Sequence, residues 1–484
     1  MTISRRHFLG AAASGAALIS APAILRAQPG REDARLLERA YTLMHPGLYR
    51  YASPRQVAAR FARLREQLGA AATLPERYLA LSRLAGTVRC GHTYANFFNQ
   101  SDAVQARLFG GRDKLPFRFR WLGERMLVTA DPENLGLAAG TEILRIDGRP
   151  VSEILRALMP LARADGGNDA KRRALLGVGG IERYESFDVY FPLVFTMQGA
   201  EFTLLLRPPR GPVATLRAAP IDLARRQATM RAPQAADRAA NPGWTLEHRG
   251  GAAIMAVNNW ALYNSRWDWR AWLAESFAAM ARRGSRALIL DLRDNEGGQP
   301  ECGNAVLARL IDAPLRLTPY DRRVRFREAP RDLIPVLDTW DRSFDRIGLP
   351  GVDRGDGFLS LPPDEDETVI RPIGPRFAGR LFVLTSAQNS SATFQFAAIV
   401  RANRLGTLIG GATGGNRRGI NGGAYYFLRL PESGLEIDLP LIGYFPPTPQ
   451  PDAGVMPDVA VGPTPEDIAA GRDPVLERAL EMAR

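Results

Sequence analysis

The sequence predicts an α/β protein that begins with helices, continues through a strand-rich segment and ends in a layered core. Three observations support this fold class. Apolar residues recur at helical spacing from Arg31 to about Val88, and between Leu115 and Arg207 they form short alternating runs typical of strands. Later in the chain, short buried-strand runs alternate with amphipathic helical segments. That alternation is typical of layered α/β architecture.

Length and composition limit the class of protein. A chain of 484 residues is expected to form two or three domains, and 45% hydrophobic residues exclude wholesale disorder. The net charge is +12, but only Lys114 and Lys171 are lysines, which leaves 61 of the 63 basic residues as scattered arginines. Such scatter indicates compositional bias rather than a basic patch. We therefore expect no nucleic-acid partner.

The first 27 residues have the features of a twin-arginine export signal. Arg5 and Arg6 precede a weakly apolar, alanine-rich segment that ends near Ala27, a small residue suited to cleavage. Serine, glycine and proline interrupt the apolar segment, which disfavours a transmembrane anchor. We predict a signal peptide over residues 1–27, a periplasmic or secreted mature protein, and no membrane span.

The N-terminal region, residues 28–112, is predicted to be helical. One helix runs from Arg31 to Leu43. A second is opened by Ser53 as N-cap with a proline after it, and a third is opened by Thr73. The region ends in the turn that carries His92.

The middle region, residues 113–212, is predicted to be a strand-rich domain. Its strands include Arg125–Ala130, an alternating run around a glycine turn from Gly140 to Val151, and Glu201–Arg207. Residues 156–198 form a long insertion between these strands. Residues 208–242, rich in proline, alanine and arginine, are predicted to be a linker.

The C-terminal region, residues 213–484, is predicted to be the α/β core. Strand runs at Ala252–Val257, Ala287–Asp291, Leu381–Leu384 and Leu405–Ile409 alternate with helical segments. Proline-rich and charged residues 315–376 interrupt the pattern and predict a solvated insertion.

Two turns in this core could carry chemistry. Ser391 follows a strand and a polar turn and opens a helix, where free backbone N–H groups stabilise an oxyanion, so it is the candidate nucleophile. The alternative is that Ser390 or Ser391 only caps the helix. Gly297 and Gly298 end a strand-to-helix turn whose backbone can approach a reacting carbonyl closely, or which is merely structural.

Several motifs follow one another in a recognisable order. They are Gly91-His92-Thr93, the alternating run ending at Val151, Asp291–Gly298, Ser391-Ala392-Thr393, Gly410–Gly415 and Gly454–Asp458. This order resembles the C-terminal processing, or tail-specific, peptidase family, and in particular its tricorn-like exported branch. The resemblance implies a crotonase-like ββα core, an inserted PDZ-like domain, and a serine endopeptidase that cleaves protein or peptide substrates through an acyl-enzyme.

The resemblance also assigns roles to residues. Ser391 matches the nucleophile, and His92 matches the histidine base of the tricorn-like branch, although a structural role for His92 is the alternative. Asn416 occupies the position of the lysine used by other members, so a serine–lysine dyad is excluded. Asp452, one position displaced, would orient His92. The N–H of Ala392, with that of Gly297 or Gly298, would bind the oxyanion.

No cofactor or metal is expected, because no two histidines among His45, His92 and His248 have ligand spacing. Cys90 and Cys302 could form a disulfide or remain two free thiols. Two other functions stay open: a non-catalytic peptide- or lipid-binding protein on the same scaffold, and a serine hydrolase of other acyl substrates.

Overall fold

The N-terminal region is helical, as predicted. The computed structural model describes residues 30–231, 239–363 and 368–484, so the predicted signal peptide lies outside the described residues. Ser53 and Thr73 each accept a hydrogen bond from the backbone three residues ahead and form capping boxes. The helices are α1 (Arg31–Met44), α2 (Pro54–Ala70), α3 (Leu74–Val88) and α4 (Asp102–Phe109).

An antiparallel sheet occupies the middle region. Its strands run in the order β1-β2-β3-β5-β6, with β4 paired to β3. They are β1 (Arg118–Leu122), β2 (Arg125–Ala130), β3 (Glu142–Ile146), β4 (Arg149–Pro150), β5 (Phe202–Arg207) and β6 (Ala214–Ala218). Helices α5 (Val151–Leu158), α6 (Asp169–Leu175) and α7 (Ser186–Val194) lie between β4 and β5, and α8 (Leu223–Ala228) follows β6.

The prediction of a linker over residues 208–242 is wrong for its first half. β6 pairs with β5 along its whole length, and Arg226 of α8 forms a buried ion pair with Asp188 at 2.6 Å. β6 is an edge strand whose side chains are mostly exposed. It therefore lacks the alternating apolar pattern by which strands are recognised.

The C-terminal core contains a six-stranded sheet in the order β20-β17-β16-β9-β8-β7, parallel except for the β7–β8 pair. Its strands are β7 (Thr245–Arg249), β8 (Ala252–Ala256), β9 (Ala287–Asp291), β16 (Arg380–Thr385), β17 (Thr407–Gly410) and β20 (Val459–Ala460). The helices of this region are α9 (Trp269–Arg282), α10 (Pro300–Leu307), α11 (Ser391–Ala402), α12 (Pro465–Ala470) and α13 (Pro474–Ala483).

A third sheet shows that the predicted solvated insertion is partly structural. Its strands run in the order β12-β18-β19-β11-β14-β13, and Val324 and Leu337 of the insertion are fully buried. The insertion strands are too short to give a periodic signal. The strands of this segment and beyond are β10 (Leu315–Arg316), β11 (Asp321–Val324), β12 (Leu337–Asp338), β13 (Val352–Asp353), β14 (Leu359–Ser360), β15 (Val369–Ile370), β18 (Ile420–Arg429) and β19 (Glu436–Phe445). Short 3₁₀ helices lie at Met159–Leu161, Ile334–Val336 and Arg342–Arg346.

The packing brings distant parts of the sequence together. One hydrophobic cluster joins α1–α4, the middle sheet and β18–β19, and a second lies between the parallel sheet and α9–α11. The carboxyl ends of β9, β16 and β17 meet at one edge of the parallel sheet, which is where open α/β sheets bind ligands. In the described part of the chain, no helix combines the length and apolar character required to cross a bilayer.

Candidate active site

Ser391 sits at the start of α11 in a strained conformation. Its φ is +50°, a left-handed value that costs a non-glycine residue about 1–2 kcal/mol. The N-cap is Ser390, whose hydroxyl donates to the carbonyl of Glu296 at 2.9 Å rather than capping the helix. The capping interpretation therefore does not explain either serine. Strain of this kind is concentrated at functional sites, including the sharp strand-to-helix turns that present nucleophiles.

The strain at Ser391 leads to a stability prediction. We expect the free energy of unfolding of Ser391→Gly, measured by urea denaturation, to exceed that of Ser391→Ala by about 1 kcal/mol. The reason is that only glycine adopts this φ without strain. At an unstrained helix position such as Ala398, in the interior of α11, the order should reverse by a similar amount, since alanine is the better helix former. Equal or reversed stabilities at position 391 would show that the turn relaxes in solution.

The glycine turn after β9 lies directly against Ser391. A Cβ added to Gly297 would lie 2.8 Å from the Cβ of Ser391 and 3.2 Å from the backbone nitrogen of Ala392, so no side chain fits there. The N–H of Gly297 donates to Oδ1 of Asn295 at 2.9 Å. By contrast, the N–H groups of Gly298 and Ala392 donate no hydrogen bond within the described residues. Of the two glycines, Gly298 is therefore the one with a free donor for an oxyanion.

His92 lies in the turn after α3 and is linked to the glycine turn by one side chain. Arg163 donates from Nη1 to the carbonyl of Gly91 at 3.0 Å and from Nη2 to the carboxylate of Glu296 at 2.9 Å. Glu296 immediately precedes Gly297. Arg163 thus links the turn that carries His92 to the glycine turn that lies against Ser391.

The imidazole of His92 is held in its neutral form. Burial, assisted by the positive charge of Arg163, lowers the pKa of His92 to about 3. Its Nδ1 atom is buried and has no hydrogen-bond partner. A neutral imidazole can accept a proton, but an imidazolium formed here would need a nearby negative charge.

Asp452, the acid suggested by the sequence, has other partners. Its Oδ1 accepts hydrogen bonds from the N–H of Gly167 at 2.9 Å and from Nδ2 of Asn416 at 2.6 Å. Within the described residues, no hydrogen bond joins it to His92. Asn416, which occupies the lysine position of the family, therefore supports Asp452 and the turn at Gly167.

Sequence reasoning missed the segment that holds the site together, residues 163–171, which we call the clasp segment. It lies in the region interpreted as an insertion of the strand-rich domain, yet it contacts each of the turns described above. The contacts are Arg163 with Gly91 and Glu296, Asp165 with Gly91, Gly166 with Arg89, Gly167 with Asp452, Asn168 with Thr413 and Gly415, and Lys171 with Glu296 and Gln388. The one signal of this segment in the sequence was Lys171, one of only two lysines in an arginine-rich chain.

Lys171 is buried beside the site but is not placed as a base for Ser391. Its ammonium is hydrogen-bonded to Glu296 and donates to the carbonyl of Gln388 at 2.8 Å. Burial lowers the pKa of Lys171, and Glu296 opposes that shift. Burial by itself would raise the pKa of Glu296, but Lys171 and Arg163 hold it well below its usual range. The three groups form a buried charge cluster.

The cysteines adopt one of the two states that the sequence left open. Cys90 and Cys302 are both free and buried, and burial raises their pKa values to about 11 and about 12. The expectation that no metal binds was based only on the spacing of the histidines. In the described part of the chain, ligand atoms of Cys90, His92 and Asp165 lie within 4.8 Å of one another, a set that could hold an ion.

An aromatic wall leads from His92 to the surface. The ring of Tyr425 is 5.9 Å from that of His92, and Trp340, which is 45% exposed, lies 5.7 Å beyond Tyr425. A separate cavity of about 780 Å³ is lined by Arg163, Glu296 and Gln388 but by neither Ser391 nor His92. The aromatic rings therefore form a continuous path from His92 to the exposed Trp340.

Comparison with known proteins indicates the class of protein, a serine-type peptidase. The model described as peptidase family S41 matches residues 252–461. No curated protein matches the sequence.

Solved structures of the protein CPAF share the fold along nearly the whole chain. Mature CPAF complexed with lactacystin is 17% identical, with a TM-score of 0.66 over 94% of this chain and 97% of that chain. Mature CPAF alone is also 17% identical, with a TM-score of 0.66 over 94% of this chain and 96% of that chain.

Proposed function

We propose that this protein is an exported serine endopeptidase in which Ser391 is the nucleophile and His92 the base. One observation carries the proposal: Ser391 is held at φ +50° at the start of α11, beside two free N–H donors. Neither serine at this helix start serves as a side-chain cap. The peptidase family S41 domain over residues 252–461 supports the same chemistry.

The proposed mechanism gives each of these groups one task. The Ser391 hydroxyl loses its proton to the imidazole of His92 and its oxygen attacks the peptide carbonyl. The resulting oxyanion accepts hydrogen bonds from the N–H groups of Ala392 and Gly298. His92 then gives its proton to the leaving amine, and water attacks the acyl-enzyme by the reverse sequence.

The finer architecture belongs to the same proposal. The parallel sheet from β8 to β17 with its helices is suited to a crotonase-like core, and the antiparallel sheet around β3 is suited to a PDZ-like domain that captures an extended peptide. Export by the twin-arginine route to the periplasm or beyond rests on residues 1–27.

Covalent labelling tests the nucleophile. The mature protein should react with a fluorophosphonate probe, and Ser391→Ala should show no labelling above background. Ser390→Ala is the matched control, because it removes the neighbouring hydroxyl, and it should still be labelled. Equal labelling of the wild type and Ser391→Ala would refute the assignment.

A substrate panel separates the endopeptidase from its alternatives. The endopeptidase should cleave internal bonds of peptides in a manner that depends on Ser391. Turnover of esters but not of any peptide would indicate a hydrolase of other acyl substrates. Peptide or lipid binding with no turnover and no labelling would instead indicate a binding protein.

A further inference from the structure

We propose that Asp165 is the carboxylate that positions His92 and stabilises its protonated form. The inference rests on the proposed role of His92 as base, and it assigns the acid that the sequence placed at Asp452. Asp165 belongs to the clasp segment and is 1% exposed. It is a positioning residue, because it acts on the substrate only through the imidazole.

The contacts of Asp165 leave one oxygen available to His92. Oδ1 accepts the N–H of Gly91, the residue before His92, at 2.8 Å, which fixes the carboxylate beside the histidine turn. Oδ2 is buried and has no hydrogen-bond partner, and Nδ1 of His92 is also buried without a partner. A carboxylate oxygen of Asp165 and a ring nitrogen of His92 lie within 4.8 Å of each other. Buried polar atoms are rarely unpaired, and these two are chemically complementary.

Gly91 provides the space for this arrangement. A Cβ added at position 91 would lie 2.8 Å from Oδ2 of Asp165 and 3.2 Å from its Cγ. Any side chain there would force the carboxylate out of this position. The glycine of the Gly-His-Thr motif is therefore explained by the carboxylate that packs against it.

The charges around His92 explain why a carboxylate is needed. Arg163 and Lys171 both face the imidazole and oppose its protonation, and the negative charge of Glu296 is already shared by those two cations. When Ser391 gives up its proton to Nε2, Nδ1–H would donate to Oδ2 of Asp165, which stays ionised. No other proton moves in this step.

Three other carboxylates near the site are bound to other groups. Asp452 accepts from the N–H of Gly167 and from Nδ2 of Asn416, both at its Oδ1, and Glu296 is paired with Lys171 and Arg163. Asp438 accepts from the side chains of Asn96 and Asn99.

The surroundings of Asp165 also set the pH at which it is charged. Arg50, Lys171 and Arg163 face it and favour ionisation, Cys90 and Tyr51 are also close, and Gly91 donates to it. Burial outweighs these effects and raises the pKa of Asp165 to about 6.

Two substitutions at position 165 distinguish positioning from simple structural support. Asparagine keeps an oxygen that can accept the Gly91 N–H but removes the charge, whereas alanine removes both. If Asp165 positions His92, Asp165→Asn and Asp165→Ala should both slow fluorophosphonate labelling by about 10²–10⁴-fold. If Asp165 only holds the Gly91 turn, Asp165→Asn should label at the wild-type rate and only Asp165→Ala should be slow, which would overturn the inference.

A matched control is Glu185→Gln, since Glu185 is also buried and accepts backbone N–H groups, from Gly180 and Ile181. It should label at the wild-type rate. Slower labelling of the wild type after chelation would overturn the inference, because it would assign Cys90, His92 and Asp165 to a metal.

A readout that needs no activity separates this inference from the proposed function. The full sequence has four histidines, so ¹⁵N-histidine NMR can resolve the His92 ring. The wild type should show a protonated Nδ1 with a downfield proton that disappears in Asp165→Asn. Its absence from the wild type would refute the role of Asp165 even if Ser391 is labelled. Its presence would support that role even if Ser391→Ala labels equally.

Discussion

Replacing His92 with glutamine is expected to slow fluorophosphonate labelling of Ser391 by about 10⁴–10⁶-fold, the range found when the base of a serine hydrolase is removed. Glutamine is similar in size to histidine and can hydrogen-bond, but it cannot accept a proton at ordinary pH. Burial lowers the pKa of His92 to about 3, so in the wild type the imidazole is available as a base throughout the neutral range. The measurement is the second-order labelling rate of the purified mature protein.

His248→Gln is the matched control for this experiment. His248 lies half-buried on β7, 3.4 Å from the hydroxyl of Ser285, and has no contact with the clasp segment. It should label at the wild-type rate. Labelling of His92→Gln within about threefold of the wild type would assign the proton transfer to a different group, because loss of a base costs at least about 10²-fold.

The sequence predicted the parts of the site that depend on local pattern. The strand, turn and helix around Ser391 can be read from apolar spacing, and the structure starts α11 at the predicted residue. The caps at Ser53 and Thr73 were equally local and were found where predicted. The left-handed φ of Ser391 was not predictable, because it arises from packing against the glycine turn rather than from the neighbouring residues.

The clasp segment could not be predicted, because its role depends on tertiary contacts. Asp165 and Lys171 are single polar residues in a glycine-containing stretch, and nothing in their spacing connects them to His92 or Glu296. Local patterns identify elements but not which elements pack together. Besides the family position, which holds Asn416, the chain offers only Lys114 and Lys171, and nothing in the sequence indicates that Lys171 would pair with Glu296.

Asp452 shows that the position of a residue in a motif does not determine its hydrogen-bond partners. A family position predicted a carboxylate near the site, and Asp452 is near it, since a Cβ added to Gly166 would lie 2.1 Å from its Oδ1. Its role differs because Asn416 and Gly167 bind that oxygen. The motif position thus predicted that Asp452 lies near the site, but it did not predict which groups Asp452 binds.

Replacing Glu296 with glutamine is expected to lower the free energy of unfolding by about 3–5 kcal/mol, the usual cost of removing one partner of a buried ion pair. Glu296 is the only anion joined to two buried cations, Lys171 and Arg163, in the described charge cluster. Its loss leaves both cations unpaired. Urea denaturation followed by tryptophan fluorescence measures the effect, with Glu275→Gln as control. Glu275 pairs with Arg282 on the surface, and its loss should cost less than about 1 kcal/mol.

The number of unpaired charges in the cluster predicts how a second substitution changes the result. Lys171→Met leaves Arg163 and Glu296 as a balanced pair, so it should cost less than Glu296→Gln. Adding Lys171→Met to Glu296→Gln leaves one unpaired cation instead of two and should recover part of the loss. Simple addition of the two single effects would contradict a coupled cluster, since residues in one network are not additive.

The effect of Glu296→Gln should also depend on pH. Lys171 and Arg163 hold the pKa of Glu296 below its ordinary value of 4.5, so its ionised form stabilises the fold above that pH. As the pH falls below 4.5, the unfolded chain takes up a proton that the folded chain does not, and this stabilisation is lost. The difference between the wild type and Glu296→Gln should therefore shrink in acid. A difference independent of pH would mean that Glu296 acts through packing rather than through its charge.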